Sequence, residues 1–182
     1  MIAFWAVLVA LGALAFLTAG DPARAWSIYL VNLVFWAGLA VTGPAIAAMM
    51  QLTEARWSPS VRRLSVTTIG FLPVAFLLLL GLVAGRAVLY PWVTTPVPVK
   101  AAWLNVPFFF GRNLVLALVT FAACYAFAGA LLRDAVPPDD EREQARRNRL
   151  AVVVLFLWII TVSLWGFDLV MALDPIWYSG LF

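Results

Sequence analysis

The sequence predicts an all-α polytopic membrane protein with about five transmembrane helices, arranged as one N-terminal helix and a four-helix bundle. Composition is the first reason: of the 182 residues, 65% are hydrophobic and 12% are charged, and the mean hydropathy is +0.99. Soluble domains have about half apolar and a quarter charged residues. Secondly, apolar runs of roughly 20 residues, long enough to cross a bilayer, recur along the chain. Thirdly, the connections are short and leave no room for a soluble catalytic domain, so a soluble enzyme is excluded.

Five apolar runs define the spans of a single transmembrane domain that covers residues 1–182. They are 2–19, 26–50, 64–90, 107–132 and 150–173. The first run has the length of a signal peptide, but no basic segment precedes it and a turn-forming stretch follows, so we predict a retained helix. The last helix is expected to begin before the membrane, because Asp140 and Glu143 have the spacing of a capping box.

The distribution of lysine and arginine predicts the orientation. Eight arginines lie in the connections that share a side with the N-terminus: Arg56, Arg62, Arg63, Arg133, Arg142, Arg146, Arg147 and Arg149. Four basic residues belong to the other side: Arg24, Arg86, Lys100 and Arg112. The positive-inside rule therefore puts the N-terminus in the cytoplasm and the C-terminal end of this chain on the outer side.

The chain has no histidine and a single cysteine, Cys124. Haem between helices is normally held by histidine, iron-sulfur clusters by several thiolates, and zinc by cysteine and histidine. We therefore expect no metal or redox cofactor to be bound by this chain alone. The net charge of +3 is too small to indicate nucleic-acid binding.

A small set of polar residues within the spans forms the candidate site. An ionisable residue inside a membrane costs about 2.5 to 3.5 kcal/mol on insertion scales and marks a function or a pair. A helical rise of about 1.5 Å per residue places four residues at one level, roughly 6 to 9 Å below the outer boundary. They are Asn32, Arg86, Arg112 and Asp168. Asp174 is expected at the outer mouth, where Lys100 is close enough to pair with it.

Two interpretations of this polar layer stay open, and they are not exclusive. In the first, Asp168 and Arg112 form a buried pair that fixes helix register, while Arg86 extends to the headgroups. In the second, the layer lines a pocket or water path that opens outward and receives protons or a polar headgroup. Asp168 is the only carboxylate clearly within a span, which makes it the candidate for carrying protons.

Glycine and proline positions within the spans are interpreted as architectural. Gly81 and Gly85 have the GxxxG spacing that lets membrane helices approach closely. Pro44 and Pro73 lie well inside two spans, where each removes a helical hydrogen bond and frees a backbone carbonyl that must find another partner.

Three stretches of the sequence resemble a known family. They are DPARAW at 21–26 leading into YLVN at 29–32, KAAWLN at 100–105 followed by Phe108, Phe109 and Arg112, and DLVMALDPIWYS at 168–179. In order and spacing, the chain is similar to the N-terminal half of one of the two related integral membrane subunits of alternative complex III. That type of subunit is similar to the polysulfide-reductase (NrfD-like) integral membrane proteins.

The resemblance implies a place in a quinol:electron-acceptor oxidoreductase complex of respiratory or photosynthetic electron transfer, in the bacterial inner membrane. Multihaem cytochrome and iron-sulfur subunits would carry the haems and clusters, and quinol would bind at the level of the complex. This chain would be a non-catalytic scaffold and proton conduit without a redox cofactor of its own. The matching residues are Lys100, Asn105, Arg112, Asp168 and Asp174.

Two departures from the family pattern shape the expectations. Val99 and Ile176 stand where relatives are expected to have histidine, which weakens the case for proton transfer at those positions. Family members also continue through a second helix bundle, whereas this sequence stops at Phe182. We therefore expect another chain or a missing segment to complete the protein, and we expect one bundle not to bury the Asp168 level fully.

A dimerising half of a small transporter or channel is the alternative from another class, with the outer polar layer as its substrate site. Transporter sites lie near the bilayer midplane, often at broken helices, and only Pro44 and Pro73 lie there in this sequence. A pure assembly anchor is the third interpretation.

Overall fold

The computed structural model describes residues 20–54, 59–132 and 141–176. Within these ranges the regular elements are helices and no strand is present. Four of the described helical segments are long and apolar enough to cross a membrane, which confirms the predicted all-α membrane fold class. The predicted first span, 2–19, lies outside the described residues, as does Asp140 of the proposed capping box.

Four long helical segments and two short helices follow one another along the described chain. Helix α1 is Pro22–Leu52, and α2, Pro59–Val66, is joined by the 3-10 turn Thr67–Phe71 to α3, Leu72–Gly81. The next connection contains α4, Arg86–Leu89, α5, Pro91–Thr94, and the 3-10 turn Pro98–Lys100. Helix α6 is Val106–Leu131, and α7, Glu141–Trp165, continues through a π-helical turn, Gly166–Val170, and a 3-10 turn, Met171–Leu173.

The long segments pack as a four-helix bundle. Helix α7 lies along both α1 and α6, and the segment formed by α2 and α3 packs against α1 and α6 on the other side. Small side chains let backbones approach closely in membrane bundles. Helix α1 buries six alanines: Ala25, Ala37, Ala40, Ala45, Ala47 and Ala48. The predicted bundle is thus confirmed for the described part of the chain.

The beginnings of α6 and α7 follow from their sequences. Asn105 caps α6, because its Oδ1 accepts a hydrogen bond of 3.0 Å from the Phe108 N–H, and Pro107 suits the first turn, where its missing N–H costs nothing. Helix α7 begins at Glu141, well before the apolar run that starts at Leu150. The predicted extension of the last helix beyond its apolar part is therefore confirmed.

The third predicted span, 64–90, differs from the structure, because the helix ends at Gly81 instead of Tyr90. Tight turns follow, closed by N–H bonds to carbonyls three residues earlier. Glycine weakens a helix, and a side chain at Gly81 or Gly85 would collide with aromatic rings of α1. The predicted close approach at these glycines is confirmed, with Tyr29 and Trp26 as the groups that occupy the space.

Pro44 frees a carbonyl that a neighbouring segment satisfies. In an uninterrupted helix the N–H at position 44 would bond the Ala40 carbonyl, and proline has no N–H to donate. The Thr68 hydroxyl, in the 3-10 turn between α2 and α3, donates to that carbonyl at 2.9 Å. The expectation that the freed carbonyl finds a new partner is confirmed here.

Pro73 shows the same pattern from the other side of the bundle. Ile69 lies four residues before Pro73, and its carbonyl accepts a hydrogen bond of 2.9 Å from the Tyr125 hydroxyl of α6. The same carbonyl also accepts the Leu72 N–H. At both prolines, a side-chain hydroxyl from a neighbouring segment bonds the carbonyl four residues before the proline.

Thr68→Val tests this replacement at Pro44. Valine keeps the shape of threonine without the hydroxyl, so the Ala40 carbonyl loses its donor and the free energy of unfolding falls by about 1 kcal/mol. In a Pro44→Ala background the alanine N–H serves the carbonyl, and the same change at Thr68 has a smaller effect. Reversible unfolding in mixed micelles gives the free energy of unfolding of the wild type, the two single variants and the double variant.

Thr67→Val is the matched control, since its hydroxyl bonds the Leu64 carbonyl within its own turn. Its effect is expected to be the same with proline or alanine at position 44. An effect of Thr68→Val that is equal in both backgrounds would contradict the account.

Candidate functional site

Asp168 lies in the π-helical turn that follows α7. This turn, Gly166–Val170, is closed by the Met171 N–H, which bonds the Gly166 carbonyl. Such turns are rare within helices and occur most often at functional sites. The Asp168 side chain is 0% exposed, at the end of the bundle that we call the Asp168 end.

Four hydrogen bonds converge on the Asp168 carboxylate. Arg112 donates two of them, from Nε to Oδ2 at 2.7 Å and from Nη2 to Oδ1 at 2.8 Å. Asn113 donates from Nδ2 to Oδ2 at 2.7 Å, and Trp103 donates from Nε1 to Oδ1 at 3.0 Å. All these neighbours donate, and bidentate pairing with a guanidinium is a strong arrangement. Arg112 and Asp168 thus form a buried salt bridge in the structure.

Aromatic rings surround the Arg112 guanidinium. Its central carbon lies 4.0 Å from the Trp103 ring centre, 4.7 Å from that of Phe108 and 5.3 Å from that of Phe109. Its Nη1 donates to the Trp103 carbonyl at 2.8 Å. Ring faces attract a cation and shield it from water, so the arginine side chain is only 10% exposed. The Arg112 guanidinium therefore lies between the Asp168 carboxylate and the faces of the aromatic rings.

The expectation that one bundle would not bury the Asp168 level is wrong. The chain covers Asp168 itself, because the connection before α6 places Trp103 against the carboxylate. Earlier residues of the same connection add two more buried donors, since the Tyr90 hydroxyl bonds the Leu169 carbonyl at 3.2 Å and the Trp92 indole bonds the Ala172 carbonyl at 3.1 Å. These rings close the end of the bundle over the polar pair.

Lys100 lies beside the segment that contains Asp174, at the Asp168 end of the bundle. The Lys100 ammonium donates to the carbonyl of Pro175 at 2.6 Å, next to Asp174 in the chain. Asp174 itself accepts the Ile176 N–H at 3.1 Å and so forms a local turn. Asn105, the remaining residue matched to the family pattern, is the N-cap of α6.

Asn32 and Arg86 are not brought to the ion pair. Asn32 is exposed and its amide donates to the Ile28 carbonyl of its own helix at 2.9 Å. The Arg86 guanidinium donates to the nearby Val83 carbonyl at 2.8 Å. Of the four residues predicted at one level, the structure joins Arg112 and Asp168 alone.

Asn113 and Trp103 are the functional neighbours that sequence reasoning missed. Asn113 is 0% exposed in an otherwise apolar helix, and it directly follows Arg112. The signal in the sequence that could have identified Asn113 is an amide in the middle of an apolar run. Its Oδ1 is buried and meets no hydrogen-bond donor among the described residues. The site thus has one acceptor to spare beside the carboxylate.

Further buried polar contacts recur along the bundle. In the middle, the Thr120 and Thr161 hydroxyls lie 2.7 Å apart, and the Trp158 indole donates to the Thr42 hydroxyl at 3.1 Å. At the end opposite Asp168, which we call the Arg62 end, polar residues of three helices meet and the sequence did not predict this cluster. There Arg62 donates to Gln51 at 2.7 Å, and Gln51 donates to Asn148 at 2.9 Å.

The described residues hold few groups with reactive chemistry. Cys124 is buried in the core, and the described ranges contain no group of three His, Cys, Asp or Glu side chains placed to hold a metal ion. The arrangement at the Asp168 end can fix helices relative to one another, and the spare Asn113 oxygen can accept a proton donor such as water.

The fold and the site define a class, an all-α polytopic membrane protein whose bundle is closed at one end by a buried ion pair. Comparison of the sequence with protein-family models finds no match, and comparison with curated proteins also finds none. The similarity of 21–32, 100–112 and 168–179 to the NrfD-like family stays a prediction.

The ion pair is tested by removing its charges singly and together. Asp168→Leu and Arg112→Met each leave one buried charge alone, and each is expected to lower the free energy of unfolding by about 3 to 5 kcal/mol. The double variant is expected to lose less than either single variant, because no unpaired charge remains. The free energies of unfolding of the wild type and the three variants, measured in mixed micelles, give the coupling free energy of this double-mutant cycle.

Glu143→Leu with Arg146→Met is the matched control at a pair within one helix, whose arginine is exposed and whose atoms lie 3.2 Å apart. Its coupling free energy is expected to stay below about 1 kcal/mol. Strictly additive losses at Asp168 and Arg112 would show that the two charges do not depend on each other.

Proposed function

We propose that this protein is a scaffold subunit of a multi-subunit membrane complex and does no redox chemistry itself. The observation that carries the proposal is the fully coordinated Asp168 carboxylate, which joins α6, α7 and the Trp103 connection in one network. Four hydrogen bonds hold the carboxylate in one position between these elements. An end of the bundle that is fixed in this way suits a subunit that positions the other subunits of a complex.

We further propose that the complex is of the quinol-oxidising type, in a bacterial inner membrane, with the N-terminus of this chain in the cytoplasm. The resemblance to an NrfD-like membrane subunit of alternative complex III supports this choice. Multihaem cytochrome and iron-sulfur partners would then carry the electrons, and quinol would bind at the level of the complex. The sequence agrees with that division of roles, since it has no histidine and one cysteine.

A proton conduit is the second candidate, and the series of buried polar contacts favours it. The series runs from Asp168 and Asn113 through Thr120 and Thr161 toward the Arg62 end. Asn113 and Thr120 are seven residues apart on α6, about 10 Å along the axis, so water would have to bridge them. Two spaces adjoin the π-helical turn, one too narrow for a water molecule and one of about 230 Å³, and neither is lined by Asp168, Asn113 or Thr120. The scaffold role therefore comes first.

The first test identifies the partners. Protein purified from its native membrane in mild detergent is analysed by mass spectrometry, and an absorption spectrum of the same sample reports haem. Multihaem cytochrome and iron-sulfur chains in fixed stoichiometry are the expected result. A haem-free homo-oligomer would overturn the proposed complex and favour a transporter or channel half.

Asp168→Asn separates the scaffold from the conduit. A scaffold role predicts a lower yield of assembled complex but unchanged quinol turnover and proton release per assembled complex, because the variant weakens only the network. A conduit role predicts the reverse. Asp21→Asn is the matched control, since Asp21 caps α1 at the same end and asparagine caps equally well.

A further inference from the structure

The Arg62 end of the bundle contains a cluster in which the scaffold role has no part and at which the polar series of the conduit ends. Gln51 is only 2% exposed and lies between two partners, accepting from Arg62 Nη1 at 2.7 Å and donating to the Asn148 amide oxygen at 2.9 Å. Residues from α1, α2 and α7 thus meet in one series of hydrogen bonds. The two amides in it, those of Gln51 and Asn148, carry no charge. The positive charge of Arg62 is placed at its edge.

Arg62 is a part-buried cation whose hydrogen bond goes to a neutral amide. Among the described residues no acidic side chain pairs with it, and its buried Nε–H meets no acceptor there. The charge that acts on it is that of Arg147, which has the same sign. Buried cations are ordinarily paired, so this position has positive charge that the described residues do not balance.

Helix α7 adds a row of cations beside this cluster. Arg142, Arg146 and Arg149 are spaced by four and three residues, so they share one face, and all three are exposed. The helical segment from Glu141 has 33 residues, about 50 Å of helix, whereas the apolar bilayer core is about 30 Å thick. The arginines precede the apolar part of the helix and therefore reach the level of the lipid headgroups.

We propose that the Arg62 end binds the phosphate headgroup of an anionic membrane phospholipid, with Arg62 as the central group. A planar guanidinium matches the geometry of phosphate oxygens, and basic pockets between membrane helices bind such headgroups. Exposed apolar side chains follow the arginines on the membrane side, Leu64 on α2 and Val153 on α7. They offer a surface for acyl chains, which favours a lipid over a free phosphate ion. This inference does not depend on the proposed electron-transfer role.

The test compares lipid retention by native mass spectrometry. Purified protein is placed in mixed micelles with equal amounts of phosphatidylglycerol and phosphatidylcholine. The wild type is expected to retain the anionic lipid at least about tenfold more, and Arg62→Gln is expected to reduce that preference about fivefold, the usual share of one arginine near a membrane surface. Arg24→Gln removes the same charge from the other end of the bundle and is expected to leave the preference unchanged.

Further variants and ligands keep the result decisive. Arg149→Gln changes an exposed residue, so it folds even where Arg62→Gln does not, and it is expected to weaken the preference by a smaller factor. Inorganic phosphate in lipid-free micelles is expected not to raise the unfolding temperature. No preference for the anionic lipid, equal effects of Arg62→Gln and Arg24→Gln, or stabilisation by phosphate that depends on Arg62 would each overturn the lipid assignment.

Discussion

The Asp168 end of the molecule is organised by the need to hold one carboxylate away from water. Removing an ion from water costs several kcal/mol unless its partners are close and its lone pairs are used. Asp168 meets this requirement with four donors, which come from α6 and from the connection before it. The positions of Trp103 and Asn113 follow from that requirement, and so does the burial of Arg112 among aromatic rings.

Hydrogen bonds between helices hold the rest of the bundle by the same logic. Lipid tails are as apolar as the helix surfaces, so the hydrophobic effect gives little drive for helices to associate within a bilayer. The two prolines provide one answer, since the carbonyls they free accept Thr68 and Tyr125 from neighbouring segments. The threonine pair in the middle of the bundle, Thr120 and Thr161, provides another.

Hydropathy and helical rise were enough to predict the bundle and its central pair. Rise along a helix gives the depth of a side chain but not the direction in which it points. For that reason Arg112 and Asp168 were matched correctly, whereas Asn32 has a similar expected depth and is exposed, with its amide bonded to its own helix. Asn113 was missed, although a buried amide also needs hydrogen-bond partners.

The early end of the third span at Gly81 shows another limit of the sequence. Hydropathy stays high through this region, so the pattern favoured one helix up to Tyr90. The helix ends where Tyr29 and Trp26 of α1 lie against two glycines, a packing contact between residues distant in the chain. The cluster of Gln51, Asn148 and Arg62 escaped prediction for the same reason, since its members are far apart in the chain.

The central claim is that Asp168 is a fixed anion that organises the bundle. Infrared spectroscopy of protein with isotope-labelled aspartate, in lipid vesicles at neutral pH, tests it directly when the wild type is compared with Asp168→Asn. The account predicts that the wild type has an additional ionised-carboxylate band, which the variant loses. A protonated carboxyl band that disappears in the variant would contradict it, and would return Asp168 to the role of a proton carrier.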